Sequence, residues 1–187
     1  QARIAYEQRL RATDIVAEPL PDVRDLTLPG PAGPLSARLY SPSTTPTAFQ
    51  PLVLYFHGGG MVIGNLETHD RICRYIAKHG ESMVLAVDYR LAPEYRYPAA
   101  VEDALAAFDW TAENFANLGA DPRCFVVAGD SAGGTLAAIV TQEARARGVR
   151  VAHQILIYPA VDQGGDYASR SECGEGFLLT MQSVAWF

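Results

Sequence analysis

Cysteine is scarce in this sequence of 187 residues, which contains only three. Cys73, Cys124 and Cys173 are far apart and odd in number, a pattern typical of free thiols in a reducing compartment. No two of them have the spacing of a metal-ligand pair. We therefore expect a cytoplasmic protein that has neither a disulfide framework nor a metal site.

Long apolar runs and basic clusters are also missing. The longest apolar stretches, residues 52–56 and 155–158, have the length of strands, so we expect no membrane span. Residues 1–20 carry charges throughout and lack the apolar core of a signal peptide. The 15 Lys and Arg residues are outnumbered by 21 Asp and Glu residues, and the formal net charge of -6 argues against a nucleic-acid surface.

Strand-sized apolar stretches alternate with helical patterns along most of the chain. Composition and turn signals predict strands at residues 23–28, 35–40, 52–56, 83–87, 124–128 and 152–158. Helical periodicity and caps predict helices at residues 3–16, 68–78, 98–118 and 131–147. This alternation is typical of the α/β class, in which a mainly parallel sheet has helices on both faces. The length fits a single domain.

The segment Gly129-Asp-Ser-Ala-Gly133 fits the G-x-S-x-G nucleophile elbow. Composition alone produces this pattern in roughly one chain in sixteen of this length, so a Gly-rich turn is a real alternative. Its position favours the elbow, because a predicted strand ends at Ala128 and a predicted helix begins at Ser131. We therefore expect Ser131 to stand exposed above the sheet as a nucleophile.

A second motif, His57-Gly58-Gly59-Gly60, directly follows the predicted strand that ends at Phe56. Acyl transfer requires hydrogen-bond donors for the oxyanion, and backbone N–H groups serve only where no side chain blocks the approach. By composition the same tetrapeptide arises on the order of once per thousand chains. Two such motifs, each after its own strand, indicate acyl-transfer chemistry.

Together these motifs resemble those of the hormone-sensitive-lipase-like family of α/β hydrolases, the bacterial family IV carboxylesterases marked by HGGG and GDSAGG. Further segments sit where that family carries similar ones, at residues 88–94, 97–103, 118–122 and 158–159. The likeness covers nearly the whole chain. It implies the α/β-hydrolase fold and a serine carboxylesterase that hydrolyses small-molecule carboxylic esters of short or medium acyl chain, without a cofactor.

The resemblance also implies roles for individual residues. Ser131 is the nucleophile that forms the acyl-enzyme, and the amides of Gly59, Gly60 and Ala132 are the oxyanion donors. Supporting positions in the two motifs fall on His57, Gly58 and Asp130. We expect His57 to shape the oxyanion loop and Asp130 to hold the elbow by hydrogen bonds.

The two ends of the chain resemble cap segments of that family. Residues 1–20 and 163–187 are expected to form a partial helical cap over the pocket. A predicted helix begins after Thr180 and reaches residue 187 without a stop signal. We therefore expect residues 1–187 to be a single α/β-hydrolase domain truncated at its C-terminus, with further strands missing. Association with that missing part, or a homodimer, is the expected assembly.

The residues of the catalytic triad are incomplete. In this fold the acid and the histidine follow the nucleophile, yet no histidine follows His153. We expect both partners beyond residue 187, and we expect residues 1–187 alone to be inactive. Among the alternatives within the chain, Asp162 follows the last predicted strand and is a candidate acid. His69 and His79 bracket a surface helix and are expected to be solvated, and His153 to be a core or edge residue.

Other polar features of the sequence indicate structural roles. The Gly-rich loop lacks the Lys-Ser/Thr pair of a phosphate loop, which argues against nucleotide binding. Asp88 and Glu94 lie in a turn after a strand, and we expect them to pair with Arg90 or Arg96.

A hydrolase-like receptor is the alternative function. The gibberellin receptor shares this fold, and in such proteins a broken triad leaves binding of a small molecule without turnover. A histidine after a late aspartate in the full-length sequence would favour the enzyme.

Overall fold

The computed structural model describes residues 1–12, 16–44, 50–177 and 179–187. The strands are β1 (Asp22–Gly30), β2 (Gly33–Ser41), β3 (Gln50–Phe56), β4 (Met83–Val87), β5 (Ala120–Asp130) and β6 (His153–Ile157). They form one six-stranded sheet in the order β1-β2-β4-β3-β5-β6. β2 is antiparallel to both of its neighbours, and the block β4-β3-β5-β6 is parallel throughout. This topology confirms the expected α/β class.

Helices cover both faces of the sheet. They are α1 (Ala2–Arg11), α2 (Leu66–His79), α3 (Ala99–Glu113), α4 (Phe115–Leu118), α5 (Ala132–Ala146), α6 (Ala168–Glu172) and α7 (Met181–Trp186). Buried residues of α3 and α5 share one core cluster with the sheet, whereas those of α2 belong to a second cluster. Among the helices of the described residues, none is both long and apolar enough to cross a membrane.

β3 shows how one strand serves both cores. Its side chains alternate between the two faces, so that Leu52, Leu54 and Phe56 enter the cluster of α3 and α5. Val53 and Tyr55 point to the opposite side and pack in the cluster of α2. A strand buried on both faces must be apolar at successive positions, which is the pattern that identified it in the sequence.

Two helices end earlier in the structure than the sequence predicts. α1 ends at Arg11, and Val16 is non-helical and exposed, while residues 13–15 of the predicted helix lie outside the described residues. The helix predicted for residues 98–118 is divided at Asn114, which donates its side-chain amide to the Trp110 carbonyl oxygen. The buried face of α3 consists largely of alanines and Phe108, and small residues of this kind suit close packing of the helix.

Arg90 does not bind the carboxylates expected for it. Its backbone amide donates to Asp103 Oδ2 at 2.8 Å, and its Nε lies 2.9 Å from the same oxygen. Asp103 belongs to α3 and is only 1% exposed. Glu94, the expected partner, instead pairs with Arg3 at 2.6 Å. The contact between Arg90 and Asp103 holds the loop after β4 against α3. The positions of these two residues in the sequence did not indicate this pairing.

We expect Asp103→Ala to lower the free energy of unfolding by about 3 kcal/mol, because it leaves a half-buried guanidinium and a backbone amide without their acceptor. The control is Asp109→Ala in the same helix, whose ion pair with Arg147 is exposed on both sides and should contribute little to stability. Both substitutions change helix propensity equally. Urea denaturation measures the free energy of unfolding of both variants. Equal losses would contradict a stabilising role for the contact between Arg90 and Asp103.

Candidate active site

Ser131 occupies the sharp turn between β5 and α5. Its backbone has φ 50 and ψ -120, a conformation that non-glycine residues rarely adopt. The amide of Ser131 donates to the Ile157 carbonyl oxygen at 2.9 Å, and its carbonyl accepts from the Thr135 amide at 3.1 Å. The strained serine is therefore fixed by β6 on one side and by α5 on the other, in the strand-turn-helix context that an elbow requires.

The small residues around Ser131 allow α5 to begin directly against β3. A side chain at Gly133 would collide with the carbonyl oxygens of Phe56 and His57. One at Gly129 would collide with the carbonyl of Gly133. Only glycine permits this approach, which accounts physically for the spacing G-x-S-x-G.

The HGGG segment lies beside the elbow. β3 and β5 are parallel, and Phe56 is the register partner of Gly129, so both segments leave the same edge of the sheet. Gly59 and Gly60 have φ of 121 and 61, and the carbonyl of Gly59 accepts from the amide of Ile63 at 2.9 Å. This turn closes the loop on itself.

Three backbone amides at this edge have no internal acceptor. Within the described residues, no hydrogen-bond acceptor is in reach of the amides of Gly59 and Gly60. Ala132 is the first residue of α5, and an N–H at that position has no partner within its own helix. The amides expected to bind an oxyanion are thus open donors.

A buried carboxylate joins the two motifs. Asp130 Oδ1 accepts from the Tyr55 hydroxyl at 2.7 Å and from the Gly58 amide at 2.9 Å, and the residue is only 6% exposed. Burial opposes ionisation of Asp130, but hydrogen bonds from His69, Tyr55 and the Gly58 amide outweigh it and hold the pKa below its usual value. Because Asp130 directly precedes Ser131 and Gly58 directly precedes Gly59, this contact ties the position of the serine to that of the HGGG loop.

His57 is packed inside the loop that it begins. Its Nδ1 donates to the Gly58 carbonyl oxygen at 2.8 Å, and its ring stacks on that of Tyr89 at 4.3 Å. The Tyr89 hydroxyl donates to the His57 carbonyl at 2.6 Å. Burial and the neighbouring His69 lower the pKa of His57 to about 4. These contacts support a part for His57 in shaping the loop.

The prediction that His69 is solvated is wrong. His69 is buried, because the first turn of α2 packs under the HGGG loop, where its Nε2 lies 3.4 Å from Asp130 Oδ2. One signal was available in the sequence. The helix follows a strand and a short loop, so its first turn returns to the edge of the sheet that carries the site.

The remaining candidates lie away from the loop or are engaged elsewhere. His79 is exposed near Glu18 at the far end of α2, and His153 is exposed at the start of β6, an edge strand. Asp162 is exposed, and its carboxylate accepts from the amides of Gly164 and Gly165 in its own loop.

Both ends of the described chain contact the HGGG loop. Arg3 of α1 donates to the Val62 carbonyl oxygen at 2.7 Å, and Glu7 accepts from the side chain of Asn65 at 2.7 Å. On the other side, the ring of Phe187 lies against Gly60, where any side chain on the glycine would collide with it. The segments expected to form a cap therefore border the open amides.

The chain is similar to proteins whose names denote ester hydrolysis. It is 47% identical over 188 residues to Esterase LipI of Mycobacterium tuberculosis (strain ATCC 25618 / H37Rv), covering 98% of this chain and 58% of LipI. Carboxylic ester hydrolase LipN of the same organism is 46% identical over 172 residues, covering 89% of this chain and 45% of LipN. The solved structure of EstE1, a thermostable carboxylesterase cloned from a metagenomic library, matches with a TM-score of 0.93 at 46% identity, covering 99% of this chain and 64% of EstE1.

A family model described as alpha/beta hydrolase fold matches residues 53–187, most of the chain. The chain belongs to the α/β-hydrolase family. Within that family the chain is a member of the hormone-sensitive-lipase-like group, as its HGGG and GDSAGG motifs indicate. The chain spans little more than half the length of LipI and less than half that of LipN.

We expect Asp130→Asn to destabilise the protein by about 1.5–3 kcal/mol at pH 7, because an amide cannot replace an anion that accepts several donors. The pKa of Asp130 is lowered in the folded state, so its contribution is present above the usual value of 3.8 and is lost as the pH falls through the folded-state pKa. Urea unfolding of both forms from pH 7 downwards should show the two curves converging in acid. A gap independent of pH would contradict the assignment, and Asp109→Asn serves as the exposed control.

Proposed function

We propose that this protein is a serine carboxylesterase that hydrolyses small carboxylic esters through an acyl-enzyme on Ser131. One observation carries the proposal: a strained serine at the start of α5 stands beside three amides for which the described residues offer no acceptor. The names of LipI, LipN and EstE1 as esterases support the reaction class.

The geometry suits acyl transfer in two steps. Oγ of Ser131 attacks the ester carbonyl carbon, and the resulting oxyanion accepts hydrogen bonds from the amides of Gly59, Gly60 and Ala132. The carbonyl then re-forms, the bond to the alcohol oxygen breaks, and a proton is delivered to the leaving alcohol. A water molecule attacks the acyl-enzyme in the same way and releases the acid and free Ser131.

A base and an acid are needed to move these protons, and we propose that both come from residues outside this chain of 187. His57 is buried with a lowered pKa, and His69 is engaged with Asp130. His79 and His153 lie next to the amino-terminal ends of parallel strands, whereas Ser131 follows the carboxyl end of β5. Residues 1–187 alone are therefore expected to be inactive.

We further propose that residues 1–20 and 163–187 belong to a cap that borders the substrate pocket of a single domain. The contact of Arg3 with Val62 and that of Phe187 with Gly60 support this. β6 lies at the edge of the sheet with Ile155 exposed, and an edge of this kind suits either further strands of a longer chain or a second copy. Three free cysteines support a cytoplasmic location. Among the described residues, no feature favours the receptor alternative.

An organophosphonate ester probe should label Ser131 alone in the full-length protein, because the turn presents its Oγ next to the open amides. Peptide mapping identifies the site, and Ser131→Ala should abolish both labelling and ester hydrolysis. The control is Thr135→Val in the next turn of α5, which should retain labelling. Label on another residue, or undiminished hydrolysis by Ser131→Ala, would overturn the nucleophile assignment.

Gly59→Ala should lower kcat by roughly 10²–10³-fold with a smaller change in KM, because the amides act on charge that develops in the transition state. An alanine at φ 121 also collides with the carbonyl of Ile63. The matched control is Gly33→Ala, since Gly33 has φ 123 but open space around it in the turn between β1 and β2. Both variants incur similar backbone strain, and only Gly59→Ala should lose activity.

Steady-state kinetics on a nitrophenyl ester, with melting temperatures of both variants, separate the loss of activity from the loss of stability. Equal losses of kcat in Gly59→Ala and Gly33→Ala would mean that the HGGG glycines serve only as a turn.

A further inference from the structure

His69 has more polar contacts than a space-filling residue would need. Its Nε2 lies 3.3 Å from the Gly58 amide nitrogen and 3.4 Å from each carboxylate oxygen of Asp130, with hydrogen-bond geometry toward Oδ2, and its Nδ1 lies 2.8 Å from Thr68 Oγ1. The side chain is 9% exposed. It therefore reaches from the first turn of α2 to the point where the HGGG loop meets the nucleophile elbow.

Two tautomers of His69 fit these contacts. With the proton on Nδ1, His69 donates to Thr68 Oγ1, the Thr68 hydroxyl donates to the Asn65 carbonyl oxygen at 2.9 Å, and Nε2 accepts from the Gly58 amide. With the proton on Nε2, the Gly58 amide donates to Asp130 Oδ1 and Nε2–H donates to Oδ2, an arrangement that a buried carboxylate favours because it supplies a further donor. Nδ1 then accepts the hydroxyl proton of Thr68. The Thr68 Oγ1 in turn accepts from the amide of Asn65 at 2.9 Å. A continuous chain of donors runs from the capping box of α2 to the carboxylate.

We infer that His69 is a positioning residue for the oxyanion donors, acting through Asp130. It holds the carboxylate in the one orientation in which Oδ1 binds the Gly58 amide, and this contact fixes Gly59 and Gly60 relative to Ser131. The inference rests on the proposed function, since it assigns a task within the same site.

The orientation of Asp130 needs more than its two contacts at Oδ1. The torsion that turns an aspartate carboxylate is broad and only weakly restricted by its own rotamer preference. Without a donor at Oδ2, the carboxylate is free to turn, and the Gly58 amide follows it. Oxyanion donors are effective only within about 2.7–3.1 Å of the developing charge, so a displacement near 1 Å costs roughly 100-fold in rate. The loss falls on the transition state, and hence on kcat more than on KM.

Three substitutions at His69 separate positioning from packing. His69→Phe keeps a ring of similar size but has no donor, and we expect kcat to fall roughly 10- to 100-fold while KM changes less than about threefold. His69→Gln places an N–H near the position of Nε2, and it should recover most of the lost kcat. His69→Asn carries the same amide on a shorter side chain that reaches only the position of Nδ1, and it should remain as slow as His69→Phe.

The measurements use the full-length protein with a nitrophenyl ester, and His79→Phe at the exposed end of the same helix is the control. A kcat for His69→Phe within threefold of the wild type would overturn the inference, as would equal rates for the Gln and Asn variants. If the variants do not fold, ring ¹⁵N shifts of His69 in the wild type decide the matter. A proton on Nε2 supports the inference, and a proton on Nδ1 alone overturns it.

Ser131→Ala, measured in the same series, distinguishes failure of the proposed function from failure of the role of His69. If Ser131→Ala hydrolyses the ester normally, the proposed function itself fails. If Ser131→Ala is inactive while His69→Phe is fully active, only the role of His69 fails.

Discussion

The structure around the site depends on a negative charge that is kept inside the protein. Removing a carboxylate from water costs several kcal/mol unless donors replace the lost hydration. For Asp130 these donors come from three separate elements: Tyr55 on β3, the Gly58 amide in the loop that follows, and His69 on α2. A displacement of any one element leaves the charge poorly solvated. The loop and the elbow are therefore held in register by electrostatics as well as by packing.

Glycine completes this arrangement at the point where side chains would interfere. The N-terminus of α5 packs against the end of β3, so Ser131 and the HGGG loop lie next to each other across adjacent parallel strands. The backbone strain at Ser131 persists because β6 and α5 each bind one of its backbone groups. Two neighbouring strands, two short loops and one charge thus suffice to bring Ser131 and the amides of the HGGG loop together.

Local patterns predicted the features of the molecule that have local causes. Strands buried on both faces are visible as apolar runs, and β4 was predicted with its bounds at Met83 and Val87. The elbow and the HGGG loop were found because collisions restrict those positions to glycine, with neighbouring backbone at Gly59, Gly129 and Gly133 and with side chains at Gly58 and Gly60. The burial of His69 and the pairing of Arg90 with Asp103 were missed, since both join residues that periodicity does not relate. The break at Asn114 was missed because the apolar spacing continues across it.

Because atoms are crowded over the end of β3, positions there tolerate mutation less well than positions elsewhere in the molecule. At Gly133 the carbonyls of Phe56 and His57 exclude every side chain, so a substitution there disrupts the fold whatever its effect on activity. Helix α7, which borders the same loop with Val184 and Trp186 exposed, has no position restricted in this way. A lineage that adapts to a new function would therefore accumulate its differences in segments such as α7 and leave the turn at Ser131 unchanged. Laboratory evolution would make better use of its library size by diversifying those bordering segments alone.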